Sequence, residues 1–478
     1  MHLGSAAVSG LSFLEQLELV DALPTALVRG PVYAAGGLMA LQSNAQPSGG
    51  MTDTQPVPQP DTPVDIEALV EQLTPTVAKF REQSTPQKVA LDQQSLILGD
   101  SKPIRIASVG LGVRVISHWS VVYNFINAAA GAVTINVSNV WPYNHLKQTL
   151  IQINGGAQVY AADGLATFAV MTRNKPGAWS TSTGGGFGPA LNKALVKVTA
   201  GANVSTFVNA AGQGSFSGIA SFNVALSATG VLTVDFWTVE KLALDRQSLL
   251  GMLPLQNNST FATLQRTTVN NAIGAGPNNH AFPFFTAGAV PGTLTHTATA
   301  TVTSTYDFWS VPEDQGLYQE MVQNSYQVQQ QQSIGVAVTG SEALIYNIPQ
   351  NQFMVAAHLW GFDTQGNLIP ADAGGLPILK LVYNAGSIQP VVHFADRERA
   401  AQYLDYDDDR QFVGGYRFWD GEDTTEMVTM ADQAGWIDTY QAATPQLKAD
   451  VTAGLLTPLT YSITRESVVA GAVQVVGG

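Results

Sequence analysis

The sequence contains no cysteine. That absence removes disulfides, Cys-ligated zinc, iron–sulfur clusters and thiol catalysis together, and leaves burial and assembly to stabilise the chain. Charge is scarce as well: Asp, Glu, Lys and Arg make up 12% of the 478 residues, against a usual share of about 25%. Disordered chains are polar and highly charged, so a chain that is 45% hydrophobic is built to fold. Surfaces poor in Lys and Glu suit large subunit contacts, where those side chains are costly to desolvate. Basic residues are the scarcer sign, 22 against 36 acidic, for a net charge of −14. A duplex binder needs a basic face to displace phosphate counterions, so no direct nucleic-acid contact is expected.

Long apolar runs are missing too. The nearest approach to a membrane span, Leu17 to Leu41, is broken by Glu18, Asp21, Pro24, Arg29 and Pro31. Glu15 and Glu18 sit where a secretory signal would carry its apolar run. The chain reads as soluble and not exported by a standard signal.

The motifs of catalysis are equally thin. There is no P-loop and no nucleophile elbow; Gly214–Gly218 has Phe216 where the serine belongs. Gly184–Gly188 lacks a following Lys and reads as a surface loop. His2, His118, His145, His280, His296, His358 and His393 show no metal-ligand spacing. Asp405, Asp407, Asp408 and Asp409 form one acidic cluster, but Arg410 stands where a calcium loop needs its turn glycine. We therefore assign no catalytic, cofactor-binding or metal-ligating residue, expect no cofactor, and read the protein as not an enzyme.

What is present is β texture. Residues 1–50 are small and apolar, with a short helix expected at Leu11–Leu19, and form an extension. Residues 51–102 form a linker and arm: Pro56, Pro58, Pro60 and Pro63 mark an extended stretch. Ile66, Leu69, Val70, Leu73 and Val77 then recur at helical spacing, which Pro75 splits into two pieces. From Ile104 short runs rich in β-branched and aromatic residues follow: Val113–Ile116, Trp119–Phe125, Ala132–Val137 and Thr149–Asn154. The series continues through Phe222–Leu226, Gly230–Trp237, Thr260–Leu264, Leu294–Thr303, Ser333–Val338, Gln352–Trp360, Pro377–Tyr383, Val413–Trp419, Thr460–Arg465 and Val473–Val476. Many short strands with turns between them predict sandwiches, so the fold class is mostly β.

Two charged helices are expected at Leu242–Leu253 and Ala395–Tyr406, each after a strand and before another. This faint repeat predicts two sandwiches in tandem, residues 103–312 and 313–478, with Gln329–Gln332 as a polar connector near the seam. Phe236–Trp237, Phe308–Trp309 and Phe418–Trp419 are either sugar-stacking platforms or strand residues alternating between two faces, and the second reading is favoured. Lys79, Arg81, Lys88, Lys102 and Arg105 precede the first expected strand and read as solvated, or as facing a membrane or another acidic surface.

On these residues the chain resembles the double jelly-roll major capsid proteins of tailless icosahedral viruses with an internal membrane, the tectivirus type. A helical arm containing Leu73–Pro75 precedes the first roll. Gly230–Val239 leads into Asp245–Pro254, similar to the family's strand and flanking helix, and Arg397–Leu404 is the similar helix of the second roll. The resemblance implies two eight-stranded jelly rolls behind an N-terminal helical arm. It implies a homotrimer with a pseudo-hexagonal outline that packs against neighbouring capsomers in the virion shell, assembled in the host cytoplasm. The arm would meet the membrane or minor capsid proteins, and the loops Asn174–Asn192 and Asn270–Gly292 would form towers or trimer contacts. A tandem β-sandwich that binds carbohydrate or a receptor, as a spike does, is the alternative, with a carboxylate-pair hydrolase behind it.

Overall fold

The computed structural model describes residues 76–129, 131–138, 140–173, 195–209, 216–225, 228–244, 249–256, 260–270, 274–275, 284–286, 294–336, 340–362, 378–382, 391–394, 417–420, 436–440, 445–451 and 459–470. The chain divides into two units, Met1–Lys79 and Phe80–Gly478. Of the first unit only residues 76–79 are described; they open the helix Thr76–Gln83, one residue after Pro75. The helix expected at Leu11–Leu19 lies outside the described residues.

Among the described residues of the second unit the strands form four sheets. The first runs in the order Pro86–Ala90, Leu294–Trp309, Leu111–Asn127, Ala228–Lys241 and Val196–Ala200, with Gln94–Ile97 and Leu253–Pro254 paired alongside. The second contains Gly274–Ala275, Phe284–Thr286, Val133–Val137, Ile219–Val224 and Val204–Asn209. The third has nine strands: Arg417–Asp420, Phe353–Phe362, Leu459–Ala470, Asn324–Val336, Ala157–Ala162, Leu146–Ile153, Ala262–Thr268 and Ser101–Ile106 in order, with Ile437–Asp438 beside Phe353–Phe362. The fourth holds Gly340–Asn347, Gln446–Val451, Ile378–Val382 and Val391–Phe394.

Strand alternation builds the cores. In Leu111–Asn127 the buried positions Val115, Ser117, Trp119, Val121, Tyr123 and Phe125 recur every second residue, so they share the inner face. Tyr123 and Phe125 meet Phe284 at 4.8 and 5.1 Å between ring centroids, and Phe125 meets Phe222 at 5.3 Å. Those contacts close the first sheet onto the second. Val115 belongs instead to a second apolar cluster with Ile106, Ile151, Leu264, Tyr306 and Val328, which closes the first sheet onto the third. One strand of 17 residues thus serves two cores, far longer than the usual strand of about 5–6 residues.

Several expectations change. Strands begin at Pro86, not Ile104, because Pro86–Ala90 and Gln94–Ile97 pair with Leu294–Trp309, and Ser101–Ile106 pairs with Ala262–Thr268. Lys88, Lys102 and Arg105 therefore stand on strands. Val113–Ile116 and Trp119–Phe125 are one strand. Gln329–Gln332 is no connector but part of Asn324–Val336, hydrogen-bonded to Leu459–Ala470 along its length. Gly274–Ala275 and Phe284–Thr286 add strands inside the expected loop Asn270–Gly292.

The helix expected over Leu242–Leu253 is absent from its described ends: Leu242–Leu244 is a bend, and Leu249 has φ +55°. Leu242, Leu244, Leu250 and Leu253 are all buried in the second cluster, and the Leu244 N–H bonds to the Leu250 carbonyl instead of closing a helical turn. Residues 245–248 lie outside the described residues, as do Ala395–Tyr406, Asp405–Asp409, Asn174–Asn192, Gly184–Gly188 and Val473–Val476.

Candidate functional site

The sheet of nine strands crosses the middle of the sequence. Ala157–Ala162 pairs in parallel with Asn324–Val336, Val328 opposite Tyr160 and Gln329 opposite Ala161. Charges gather around this join.

Glu466 lies on Leu459–Ala470, with Val328 and Ala356 as its neighbours on the flanking strands, and is fully buried. Glu466 shares one face of its strand with Ser462, Thr464 and Val468, while Ile463 and Ser467 are buried on the other, so the strand is covered on both faces and the carboxylate has no route to water. A buried carboxylate is tolerated only when paired and hydrogen-bonded. Arg173 Nε donates to it, 3.0 Å from Oε1 and 3.1 Å from Oε2. His358 Nε2 stands 2.8 Å from Oε1, the Tyr326 hydroxyl donates to Oε2, and Lys241 Nζ is 4.0 Å from Oε2. Burial pushes the Glu466 carboxyl up, but Arg173, Lys241 and His358 outweigh it and hold it well below the usual 4.5. Burial and the Glu466 charge together raise the Tyr326 hydroxyl well above 10, so it stays a neutral donor.

Arg173 and Lys241 come from before Pro312; Tyr326, His358 and Glu466 come from after it. Arg173 is positioned by the helix Gly164–Thr172, whose C-terminus it caps. That helix is buried along its length and escaped sequence reading, because Leu165, Ala166, Phe168, Ala169 and Val170 leave no polar face to set a helical period. Its start packs tightly: a Cβ on Gly164 would overlap the Tyr143 carbonyl. At its N-terminus Asp163 accepts from the Ala166 N–H at 2.7 Å and from Gln330 Nε2 at 2.7 Å. Gln330 also accepts from the Asp163 N–H at 2.6 Å and donates to Ser462 at 2.7 Å. The two ends of one helix are thus tied to residues from beyond Pro312.

A second buried cluster pins the first sheet to the third. Arg266 lies 3.5 Å from Glu240, donates to Gln94 and Ser304 at 2.6 and 3.1 Å, and bonds to Ser117. Thr238 and Ser117 complete the Glu240 carboxylate at 2.9 and 3.2 Å. Burial lowers the Arg266 guanidinium, against the opposing pull of Glu240.

Neither carboxylate has an exposed side chain, so neither can meet a substrate; their geometry locks layers together. Among the described residues no three His, Asp or Glu side chains stand close enough to hold a metal ion. Of the aromatic pairs, Phe236 faces inward and Trp237 is 39% exposed beside His118, whose ring lies 4.6 Å away. Phe308 is buried, while Trp309 packs on Phe80 at 5.6 Å. Phe418 and Trp419 are on a strand paired to Phe353–Phe362. No described helix is long and apolar enough to cross a membrane.

No protein-family model and no curated protein matches this sequence. Solved structures do match. The crystal structure of the STIV major capsid protein superposes with a TM-score of 0.53 at 12% identity, covering 81% of this chain and 97% of that one. The chain has the double jelly-roll fold. The atomic structure of Sulfolobus Turreted Icosahedral Virus agrees, with a TM-score of 0.50, 11% identity, and coverage of 80% and 91%. In a double jelly roll the Glu466 cluster takes on a clear position: it ties chain that precedes Pro312 to chain that follows it.

Proposed function

We propose that this protein is a major capsid protein, a structural subunit and not an enzyme. The observation that carries the reading is the double jelly roll shared with the STIV capsid protein across four-fifths of the chain. In this reading residues 86–312, which take in the strands from Pro86 onward, and residues 313–478 are the two rolls. Three chains stand together as a pseudo-hexagonal capsomer, and capsomers tile an icosahedral virion shell over an internal membrane, after assembly in the host cytoplasm. Residues 51–102 were expected as the arm; the strands from Pro86 onward belong to the sheets, so the arm that meets membrane or minor capsid proteins ends before Pro86.

The buried charge clusters support the reading. A shell subunit must present two rolls as one rigid block, because a hinge between them would blur every symmetric contact. The low charge supports it too, since subunit contacts disfavour Lys and Glu.

Light scattering on the purified protein, with negative-stain images of the same peak, tests this. A particle of three times the 50.6 kDa chain mass with a six-sided outline is expected. A monomer would overturn the capsomer.

A further inference from the structure

We propose that His145 and His296 form an acid-sensitive pair in the core closed by the first and second sheets, so that acid loosens that core while the Glu466 junction stays shut. The inference concerns the isolated chain and does not depend on the capsid reading.

His145 ends the short turn Tyr143–His145 and is 1% exposed. Its Nδ1 lies 3.0 Å from the Tyr123 hydroxyl, and the Trp141 indole N–H donates to that same hydroxyl at 3.2 Å. With the Tyr123 oxygen accepting from Trp141, we assign its own proton to the bond with His145, with neutral Nδ1 as the acceptor. Protonation would put a second hydrogen on that line. The bond would then oppose two donors, and the Tyr123 hydroxyl would have to turn away.

His296 faces inward from Leu294–Trp309, 3% exposed, stacked on Phe125 at 5.7 Å and edge-on to Phe284 at 5.9 Å. Among the described residues neither His296 nitrogen has a hydrogen-bond partner, nor does His145 Nε2. A charged imidazolium needs two acceptors; His296 finds none here, and His145 has at most one, the Tyr123 oxygen once its hydroxyl has turned.

The groups facing the two rings are few. Leu111–Asn127 contributes Trp119, Tyr123 and Phe125; Phe284–Thr286 contributes Phe284; and the rings face one another's charge. Among the described residues no carboxylate bonds to or pairs with either ring. Burial pushes the His296 imidazole down to about 4, and burial with the His296 charge pushes His145 down to about 3. The unfolded imidazoles titrate at about 6.5. The pair therefore contributes stability that is present above that value and is lost as pH falls, because the unfolded chain takes protons that the folded core refuses. Glu466 is held far below its ordinary range, so the junction keeps its charge through the same interval.

Urea unfolding of the full-length protein at pH 7, 6 and 5 tests the pair against the variant His145→Asn/His296→Phe. Asn can present an acceptor where Nδ1 stands, and Phe fits the aromatic wall. Between pH 6 and 5 each histidine should raise the wild-type unfolding constant about sevenfold, so the variant should lose a dependence of about fiftyfold. Identical pH dependence in the two proteins overturns the proposal. Hydrogen exchange on the wild type, corrected for the intrinsic effect of pH, tests it without any variant. Protection should fall first in Val133–Val137 and Leu294–Trp309 and persist in Leu459–Ala470. Earlier opening of Leu459–Ala470 would also overturn it.

Discussion

Arg173 and Glu466 are separated by 293 positions in the sequence, yet the arginine Nε lies 3.1 Å from the glutamate Oε2 with both side chains fully buried. Such a pair is strongly coupled to the fold, since neither charge can find water if its partner is removed. It is also asymmetric. The carboxylate has three further partners, Tyr326, His358 and Lys241, which fixes where it sits.

Glu466→Ala should cost about 3–5 kcal/mol, because it leaves Arg173 buried without its carboxylate. Arg173→Ala should cost less, since His358, Tyr326 and Lys241 stay with Glu466. The double variant should lose less than the sum of the two, with a coupling of about 1–3 kcal/mol in urea unfolding. Strict additivity would mean that the pair does not hold the two halves together.

The acid limb of stability should depend on Glu466. Its folded carboxyl is held below the unfolded 4.5, so its contribution is present above pH 4.5 and is lost as pH falls further. Below that point wild-type stability should fall with a slope approaching about 1.4 kcal/mol per pH unit from this group alone. Glu466→Gln should be less stable at pH 6 and lack that part of the slope, which denaturant titrations at pH 3, 4 and 6 would read.

Asp163→Ala should destabilise by about 0.5–2 kcal/mol, the usual cost of an N-cap. Gln330→Leu should destabilise as well, because it removes one donor to the Asp163 carboxylate, the acceptor of the Asp163 N–H and a donor to the Ser462 hydroxyl. Circular dichroism melts of both variants check this. A neutral Gln330→Leu would mean that the Gln330 side chain does not hold the helix Gly164–Thr172 to Asn324–Val336.

Phe284→Ala should cost about 3–5 kcal/mol, as a cavity forms where the ring meets Tyr123, Phe125, Trp141 and Phe222. Phe284–Thr286 pairs over two positions with each of Val133–Val137 and Gly274–Ala275, so its ring adds to a short backbone ladder. Phe284→Leu should recover most of the loss in thermal denaturation.

Much of the sandwich was legible in advance. The runs at Val113–Phe125, Gly230–Trp237 and Leu294–Thr303 alternate with a period of two, and that period is a local property of the extended chain. Phe236 and Trp237 show it directly, one buried and the next exposed. Pro86–Ala90 was not legible, since its pattern is exposed almost throughout and only its partner Leu294–Trp309 makes it a strand. The candidate site left no clear trace: Glu466 shares its strand parity with Ser462, Thr464 and Val468, a mixed run in which a carboxylate does not stand out.

By itself the sequence determined the β class and the lack of thiol chemistry, because composition and alternation act between near neighbours. Tertiary structure alone decided that Gln330 clasps Asp163, that Arg173 ends a buried helix, and that Glu466 is its counter-charge. The reason is distance along the chain. A buried charge is tolerated only through partners that folding brings from far away, and no local pattern names them.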